Sequence, residues 1–254
     1  MQLRSELHLP QSKRFNQSTD STPFNRADQP KTPRLRDQRI DGLRGLALVM
    51  MVLHHFIYDM RYFFLLDVFA WQEEPFFIHV IRPIFLIVFL FVSGYATRYS
   101  RNARSRALKL TVVAVLATLI TLVLHQFFDT GVIYWNMLHT LAIGHWLHVL
   151  LKNQRARVIA MIILLFLTHV VIELRISLPP LDHMDYLPLL PWLLYFVLGV
   201  MAGQYAKNDP IPAPSPHIIP RALALVGRYG IFVYALHQIV LLALLSLLRA
   251  LGAF

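Results

Sequence analysis

The sequence contains no cysteine among its 254 residues. This absence excludes disulfide bonds, cysteine-ligated zinc and cysteine nucleophiles, whichever compartment the chain faces. Charged residues are scarce as well, at 15%, whereas a soluble domain carries about 25%. With only 10 glycines and a high apolar content, the chain is neither collagenous nor disordered as a whole.

Hydrophobic residues make up 56% of the chain, and the mean hydropathy is +0.52. One water-soluble core of this length has no room for so many apolar side chains, so the composition indicates an integral membrane protein whose first partner is the lipid bilayer. We predict an all-α bundle of about seven transmembrane helices. The predicted spans are 42–66, 83–97, 111–128, 131–151, 158–172, 186–206 and 229–248.

The formal net charge of +10 first suggests an anionic partner such as nucleic acid. The basic residues instead concentrate in segments that alternate along the predicted spans, at 4–39, 98–109, 152–157 and 207–228. Because short loops rich in Lys and Arg stay in the cytoplasm, this pattern predicts a cytoplasmic N-terminus and an external C-terminus. The charge is therefore mainly a topology signal, and no nucleic-acid partner is expected.

Three regions differ in composition. Residues 1–40 are polar and basic, so we predict a disordered cytoplasmic tail, and residues 41–254 form the predicted membrane domain. Within that domain, residues 207–220 are rich in proline and are expected to form a non-helical cytoplasmic connector.

Polar residues form a stripe along the first predicted span. At about 100° per residue, the eleven residues from Arg44 to His55 make three turns and roughly 20°, which places both on one face with Asp41 and Asp59. A carboxylate one turn from an imidazole can fix its tautomer, as a general base requires. The alternative is that His54 and His55 only hydrogen-bond neighbouring helices.

Several motifs occur in the order found in a known group of enzymes. The first predicted span opens with Asp41-Gly-Leu-Arg44-Gly-Leu-Ala, and five motifs follow: His54-His-Phe-Ile-Tyr-Asp59, Leu90-Phe-Val-Ser93-Gly94, Asn136-Met-Leu-His139, Asp185-Tyr-Leu-Pro188-Leu-Leu-Pro191-Trp192 and Tyr234-Ala-Leu-His237-Gln238. The opening resembles the integral-membrane acyltransferases, a group that includes acyltransferase family 3 and whose signature of an arginine, ten residues and a histidine fits Arg44 and His55. The five motifs resemble small bacterial members of the heparan-α-glucosaminide N-acetyltransferase catalytic-domain family.

The resemblance implies an enzyme that transfers an acetyl or other acyl group from cytosolic acetyl-CoA. The implied acceptor is an amine or hydroxyl of a saccharide or glycoconjugate at the outer face, and the implied location is a bacterial inner membrane. No metal cofactor is expected, and the resemblance leaves open whether the chain forms a homo-oligomer. Direct transfer and an acyl-histidine intermediate both remain open.

Candidate residues follow from the stripe and the resemblance together. His55 and Asp59 are the expected catalytic pair, with His79 in an outer loop as the alternative histidine. Arg44, Arg104 and Arg106 are expected to bind the donor phosphates, although positive-inside topology also accounts for arginines there. The acceptor site or polar core is expected to comprise Asn136, His139, Asp185, His237 and Gln238.

Simpler roles are open for several of these residues. Asp185 can cap the sixth helix, and His237 and Gln238 can form interhelical hydrogen bonds. Ser93-Gly94 and the pair Gly199 and Gly203 favour close helix packing over chemistry. Two other functions also remain: a proton-coupled transporter, in which the stripe relays protons, and a non-catalytic membrane scaffold.

Overall fold

The computed structural model describes residues 37–100, 102–128, 131–174, 185–206, 211 and 213–252. These residues are all-helical, with short 3₁₀ and π turns between α1 and α2 and after α2. The eight α-helices of the described residues are α1 Gln38–Tyr62, α2 Arg82–Tyr95, α3 Ala103–Phe128, α4 Met137–Leu150, α5 Gln154–Glu173, α6 Leu189–Tyr205, α7 Ile218–Arg228 and α8 Gly230–Ala250.

A helix is present at each of the seven predicted spans. Five helices of the described chain are long and apolar enough to cross a bilayer: Gln38–Tyr62, Phe77–Tyr99, Ala103–Phe127, Gln154–Glu173 and Gly230–Ala250. The helices α4 and α6 are shorter, with 14 and 17 residues. The all-helical prediction is confirmed, while the number of crossings and the orientation of the N-terminus stay predictions.

Helix α7 was not expected from the sequence. The predicted non-helical connector, 207–220, partly overlaps it, and 207–210 and 212 lie outside the described residues. The structure makes residues 218–228 a helix that ends at Arg228, and Tyr229 separates it from α8. The helix forms because its apolar residues have a partner to pack against, namely α1.

The contact between α1 and α7 brings the two backbones together. A Cβ at Gly45 would overlap the carbonyl oxygen of Leu223, and one at Gly227 would overlap the carbonyl oxygen of Asp41. Further along, the side chain of Asp59 in α1 binds Gln238 in α8. The backbone amide of Ser215, just before α7, donates to Gln38 at the start of α1, and a Cβ at Gly230, at the start of α8, would meet Leu48 further along α1. Residue numbers on α1 therefore rise together with those on α7 and α8, so α1 runs parallel to both helices with its polar stripe facing them.

Helices α2 and α6 meet in a similar backbone contact. A Cβ at Gly94 would overlap the Phe196 carbonyl oxygen, and one at Gly199 would overlap the Phe91 carbonyl oxygen. The predicted close-packing role of these glycines is confirmed. Ser93, next to Gly94, is buried in the bundle.

Gly45→Ala and Gly227→Ala are each expected to lower the stability of the protein by about 1–3 kcal/mol, because a methyl group there meets backbone that has no room to move. Gly42→Ala is the matched control on α1, since its Cβ would meet only the Pro220 carbonyl oxygen at 3.9 Å. Thermal unfolding followed by tryptophan fluorescence gives the comparison. A midpoint for Gly45→Ala equal to that of Gly42→Ala would contradict the packing described.

Candidate functional site

Two cavities flank the polar stripe of α1. The first, which we call the histidine cavity, is lined by His54, His55, Arg82 and Asp185 among others. The second, the arginine cavity, lies nearer the start of α1. Tyr234 of α8 lines both cavities and is the residue that the two linings share.

His55 lies beside a carboxylate that is distant in sequence. Its Nε2 is 3.8 Å from Oδ1 of Asp185, and the Tyr234 hydroxyl donates to Oδ2 of the same carboxylate at 2.6 Å. Asp185 does not cap α6, whose N-cap is Pro188 without a side-chain hydrogen bond. The Asn136 amide also hydrogen-bonds Asp185, so that carboxylate is held from two helices while it faces His55.

His237 packs behind His55, with the two ring centroids 4.9 Å apart. Its Nδ1 donates to the backbone carbonyl of Tyr234 at 2.6 Å, and its Nε2 is buried without a partner among the described residues. This bond fixes the ring against the first turns of α8. The structure thus places His237 next to His55, while its expected part in an acceptor site or polar core stays a prediction.

Asp59 has a different partner from the one expected. It is fully buried, and both carboxylate oxygens accept from Nε2 of Gln238, at 2.8 and 3.0 Å. The expectation that Asp59 orients His55 is therefore corrected: the carboxylate facing His55 is Asp185. The i+4 spacing brings two side chains to one side of a helix, but the neighbouring helix decides which polar group each one binds.

The connection between α1 and α2 reaches back to the histidine cavity. Gln72, in the 3₁₀ turn Ala70–Glu73, lies 3.0 Å from Nδ1 of His54 through its Oε1. His79 lies in the π-helical turn that precedes α2, is exposed, and is not among the residues that line the cavity. The geometry therefore favours His55 over His79.

Arg61 and Tyr62 hold this connection in place. The Arg61 side chain donates to Glu73 at 3.1 Å, to Asp67 at 3.2 Å and to the Val68 carbonyl at 2.8 Å. The Tyr62 hydroxyl also donates to Glu73 and holds the pKa of that carboxyl below its usual range. The turn that carries Gln72 is thus attached to the end of α1.

The arginine cavity gathers cations from three helices. Arg44, Arg106 and Arg228 line it, and Arg44 also pairs with Asp41 at 3.6 Å. His145 lines the same cavity and is buried, with Nδ1 unpartnered among the described residues. Such a lining suits an anion that enters from the start of α1.

Two arginines depart from the sequence expectation. Arg104 is exposed and is not among the residues that line the arginine cavity, so it is not part of the set that includes Arg106. Arg228 was missed because residues 218–228 were not recognised as a helix. The available signal was the i, i+7 spacing of Arg221 and Arg228 within an otherwise apolar run.

Asn136 and His139 form a helix cap. The Asn136 side-chain oxygen accepts from the backbone N–H of Leu138 at 3.0 Å, and the backbone N–H of Asn136 donates to Nδ1 of His139 at 3.3 Å. The other nitrogen of His139 lies 3.2 Å from Thr118 Oγ1. Helix capping thus engages both residues, and neither is among the residues that line the two cavities. Their expected part in the acceptor site or polar core stays a prediction.

These groups together can support acyl transfer. An imidazole beside a carboxylate can move a proton, and a cluster of arginines can hold a phosphorylated ligand. No cluster of three His, Asp or Glu side chains suited to a metal ion occurs in the part of the chain that the structure describes.

Residues 36–239 match the family model described as heparan-alpha-glucosaminide N-acetyltransferase, catalytic. The matched range begins just before α1 and ends within α8, so it includes the residues named in both cavities. No curated protein matches the chain, and no solved structure does.

Gln238→Leu is expected to destabilise the protein by about 1.5–3 kcal/mol, because it leaves the buried Asp59 carboxylate without its hydrogen bonds. The double variant Asp59→Leu with Gln238→Leu is expected to recover part of that loss, since no polar group is then left unpaired. Equilibrium unfolding of the single and double variants measures the coupling. Strictly additive losses would show that the two side chains do not depend on each other.

Proposed function

The chain belongs to the heparan-alpha-glucosaminide N-acetyltransferase catalytic family, and we propose that it moves an acetyl group from acetyl-CoA to an amine or hydroxyl of a saccharide. Family membership implies a membrane acetyltransferase. The observation that supports the proposed chemistry is that a cavity lined by His55 and Asp185 shares the residue Tyr234 with a cavity lined by arginines.

In this proposal the arginine cavity receives the donor. Acetyl-CoA carries three phosphate groups, and guanidinium forks bind phosphate oxygens through paired charge-assisted hydrogen bonds. Arg44, Arg106 and Arg228 supply such forks. The thioester end of the donor then extends past Tyr234 toward His55.

In the direct route His55 acts as a general base. It takes a proton from the acceptor amine or hydroxyl while the acceptor forms a bond to the thioester carbonyl carbon. The carbon–sulfur bond then breaks, and the departing CoA thiolate takes the proton from His55. In the covalent route a ring nitrogen of His55 forms a bond to the thioester carbonyl carbon, the carbon–sulfur bond breaks, and the CoA thiolate leaves with the proton of the other ring nitrogen. The acceptor amine or hydroxyl then bonds to the same carbon, the bond from carbon to His55 breaks, and the freed imidazole takes the acceptor's proton.

Asp185 is the carboxylate that we assign to His55. At 3.8 Å from Nε2 it lies outside hydrogen-bond distance, and catalytic hydrogen bonds commonly shorten when substrate binds. A proton on Nε2 directed at Asp185 leaves the lone pair on Nδ1, which then faces the acceptor or the acyl carbon. Tyr234 and Asn136 fix the carboxylate for this role.

The predicted orientation of the chain gives the transfer its direction. The arginine cavity lies near the start of α1, which the basic loops assign to the cytoplasm. The histidine cavity lies further along α1 and is expected to open toward the outer face. The donor and the acceptor thus enter from opposite sides of the bilayer in this proposal, and the outer solution supplies the saccharide.

His55→Ala is expected to reduce acetyl transfer at least a thousandfold, because it removes the group that carries the proton or the acyl chain. Transfer of radiolabelled acetyl from acetyl-CoA to D-glucosamine by the purified protein is the measurement. His79→Ala is the matched variant and is expected to retain activity, since His79 is exposed and lies outside the cavity. Activity retained by His55→Ala and lost by His79→Ala would overturn the assignment.

Arg106→Ala and Arg228→Ala are each expected to weaken acetyl-CoA binding about tenfold, the loss of one charge-assisted phosphate contact. Titration calorimetry at fixed salt measures the dissociation constant. Arg155→Ala is the control, because Arg155 is an exposed arginine of α5 that does not line the arginine cavity. Unchanged affinity in both cavity variants would refute the donor site, and saccharide uptake without any acyl-CoA would favour a transporter.

A further inference from the structure

His54 lines the histidine cavity beside His55, and its ring centroid is 5.8 Å from that of His55. The acyl-transfer chemistry above makes no use of it. Its ring also packs against Phe77, which lines the same cavity, with centroids 5.7 Å apart. His54 is thus a second imidazole at the place where the acceptor is proposed to bind.

The hydrogen bond to Gln72 decides which nitrogen of His54 carries a proton. The contact runs from Nδ1 of His54 to Oε1 of Gln72 at 3.0 Å, and a carbonyl oxygen only accepts. Nδ1 is therefore the donor, and in the neutral ring Nε2 carries a lone pair. This Nε2 is neither buried nor hydrogen-bonded within the described residues.

Gln72 is well placed to hold that tautomer. Only 7% of it is exposed, and it lies in a 3₁₀ turn whose last residue, Glu73, is bound by Arg61 and Tyr62. The neighbouring Trp71 ring packs edge-on against Phe77, with centroids 5.0 Å apart. The turn that carries this amide is therefore held both by the end of α1 and by the π-helical turn that precedes α2.

We infer that Nε2 of His54 accepts a hydrogen bond from a second OH or NH group of the substrate that receives the acetyl group, next to the amine or hydroxyl that reacts. Gln72 holds His54 in the tautomer that this hydrogen bond requires. The inference rests on the proposed acyl transfer. His55 faces the reacting amine or hydroxyl, and Nε2 of His54 accepts from the neighbouring one. The acceptors selected are then 1,2-amino alcohols and vicinal diols, as in a sugar ring, over amines without a neighbouring donor.

Two acceptors of the same ring size test this selectivity in the full chain reconstituted in lipid nanodiscs with acetyl-CoA. D-glucosamine has hydroxyls beside its amine, and cyclohexylamine has none. The readout is the ratio of kcat/KM for the two amines. His54→Phe keeps the ring but not the lone pair, so the ratio is expected to fall about tenfold, the value of one hydrogen bond.

Substitutions at Gln72 separate the tautomer from simple packing. Gln72→Glu still accepts from Nδ1 and is expected to keep the preference for D-glucosamine, whereas Gln72→Leu is expected to lose it. Glu74→Leu, at an exposed position in the same connection, is the matched control for the loss of a polar side chain. A wild-type ratio in both His54→Phe and Gln72→Leu, or equal losses in Gln72→Glu and Gln72→Leu, would overturn the inference and leave the acyl transfer standing.

Nitrogen NMR of the ¹⁵N-histidine-labelled protein gives a result that does not depend on turnover. We expect His54, identified by its absence in His54→Phe, to be protonated on Nδ1 in the wild type. Titration with D-glucosamine is expected to shift the Nε2 resonance, and titration with cyclohexylamine is not. If neither amine is acetylated, the proposed function fails, and this titration still decides the role of His54: an unprotonated Nδ1 or an unshifted Nε2 would overturn it.

Discussion

The contact between α1 and α7 is the constraint on which the site depends. Gly45 and Gly227 let the backbones of α1 and α7 touch, and α7 continues directly into α8. The close approach brings His237 and Gln238 of α8 to His55 and Asp59 in the polar stripe of α1. A larger side chain at either glycine would push α7 away from α1 and disturb these contacts.

The scarcity of charge within the bundle makes each buried polar group depend on a specific partner. In hydrocarbon no water replaces a missing hydrogen bond, so an unpaired carboxylate is costly. Asp59 is bound by Gln238, and Asp185 by Tyr234 and Asn136. Of these two carboxylates, Asp185 is the one that lies beside the His55 imidazole, and the proposed proton transfer therefore assigns it to His55.

Hydrophobicity alone was sufficient to predict the helices α1 to α6 and α8, because long apolar runs have few other folds in a membrane. The polar stripe and the motif order also placed Arg44 and His55 in cavities of the same bundle. The partner of His55 could not be predicted from one sequence. Asp185 comes 130 positions later in the chain, and only the three-dimensional packing brings it near.

Helix α7 was missed for a related reason. The prolines and arginines between residues 210 and 228 are typical of a loop. The helix is stable there because its backbone packs closely against α1 at Gly45. Its end at Arg228 supplies one guanidinium of the arginine cavity.

Tyr234 links the two cavities to the polar groups of the bundle. The residue lines both cavities, its hydroxyl binds Asp185, and its backbone carbonyl binds His237. The residue that the two linings share is therefore also a hydrogen-bond partner of the carboxylate that faces His55. In the proposed transfer a thioester held in the arginine cavity would pass this side chain to reach His55, so a change at Tyr234 would alter the path of the donor and the position of Asp185 together.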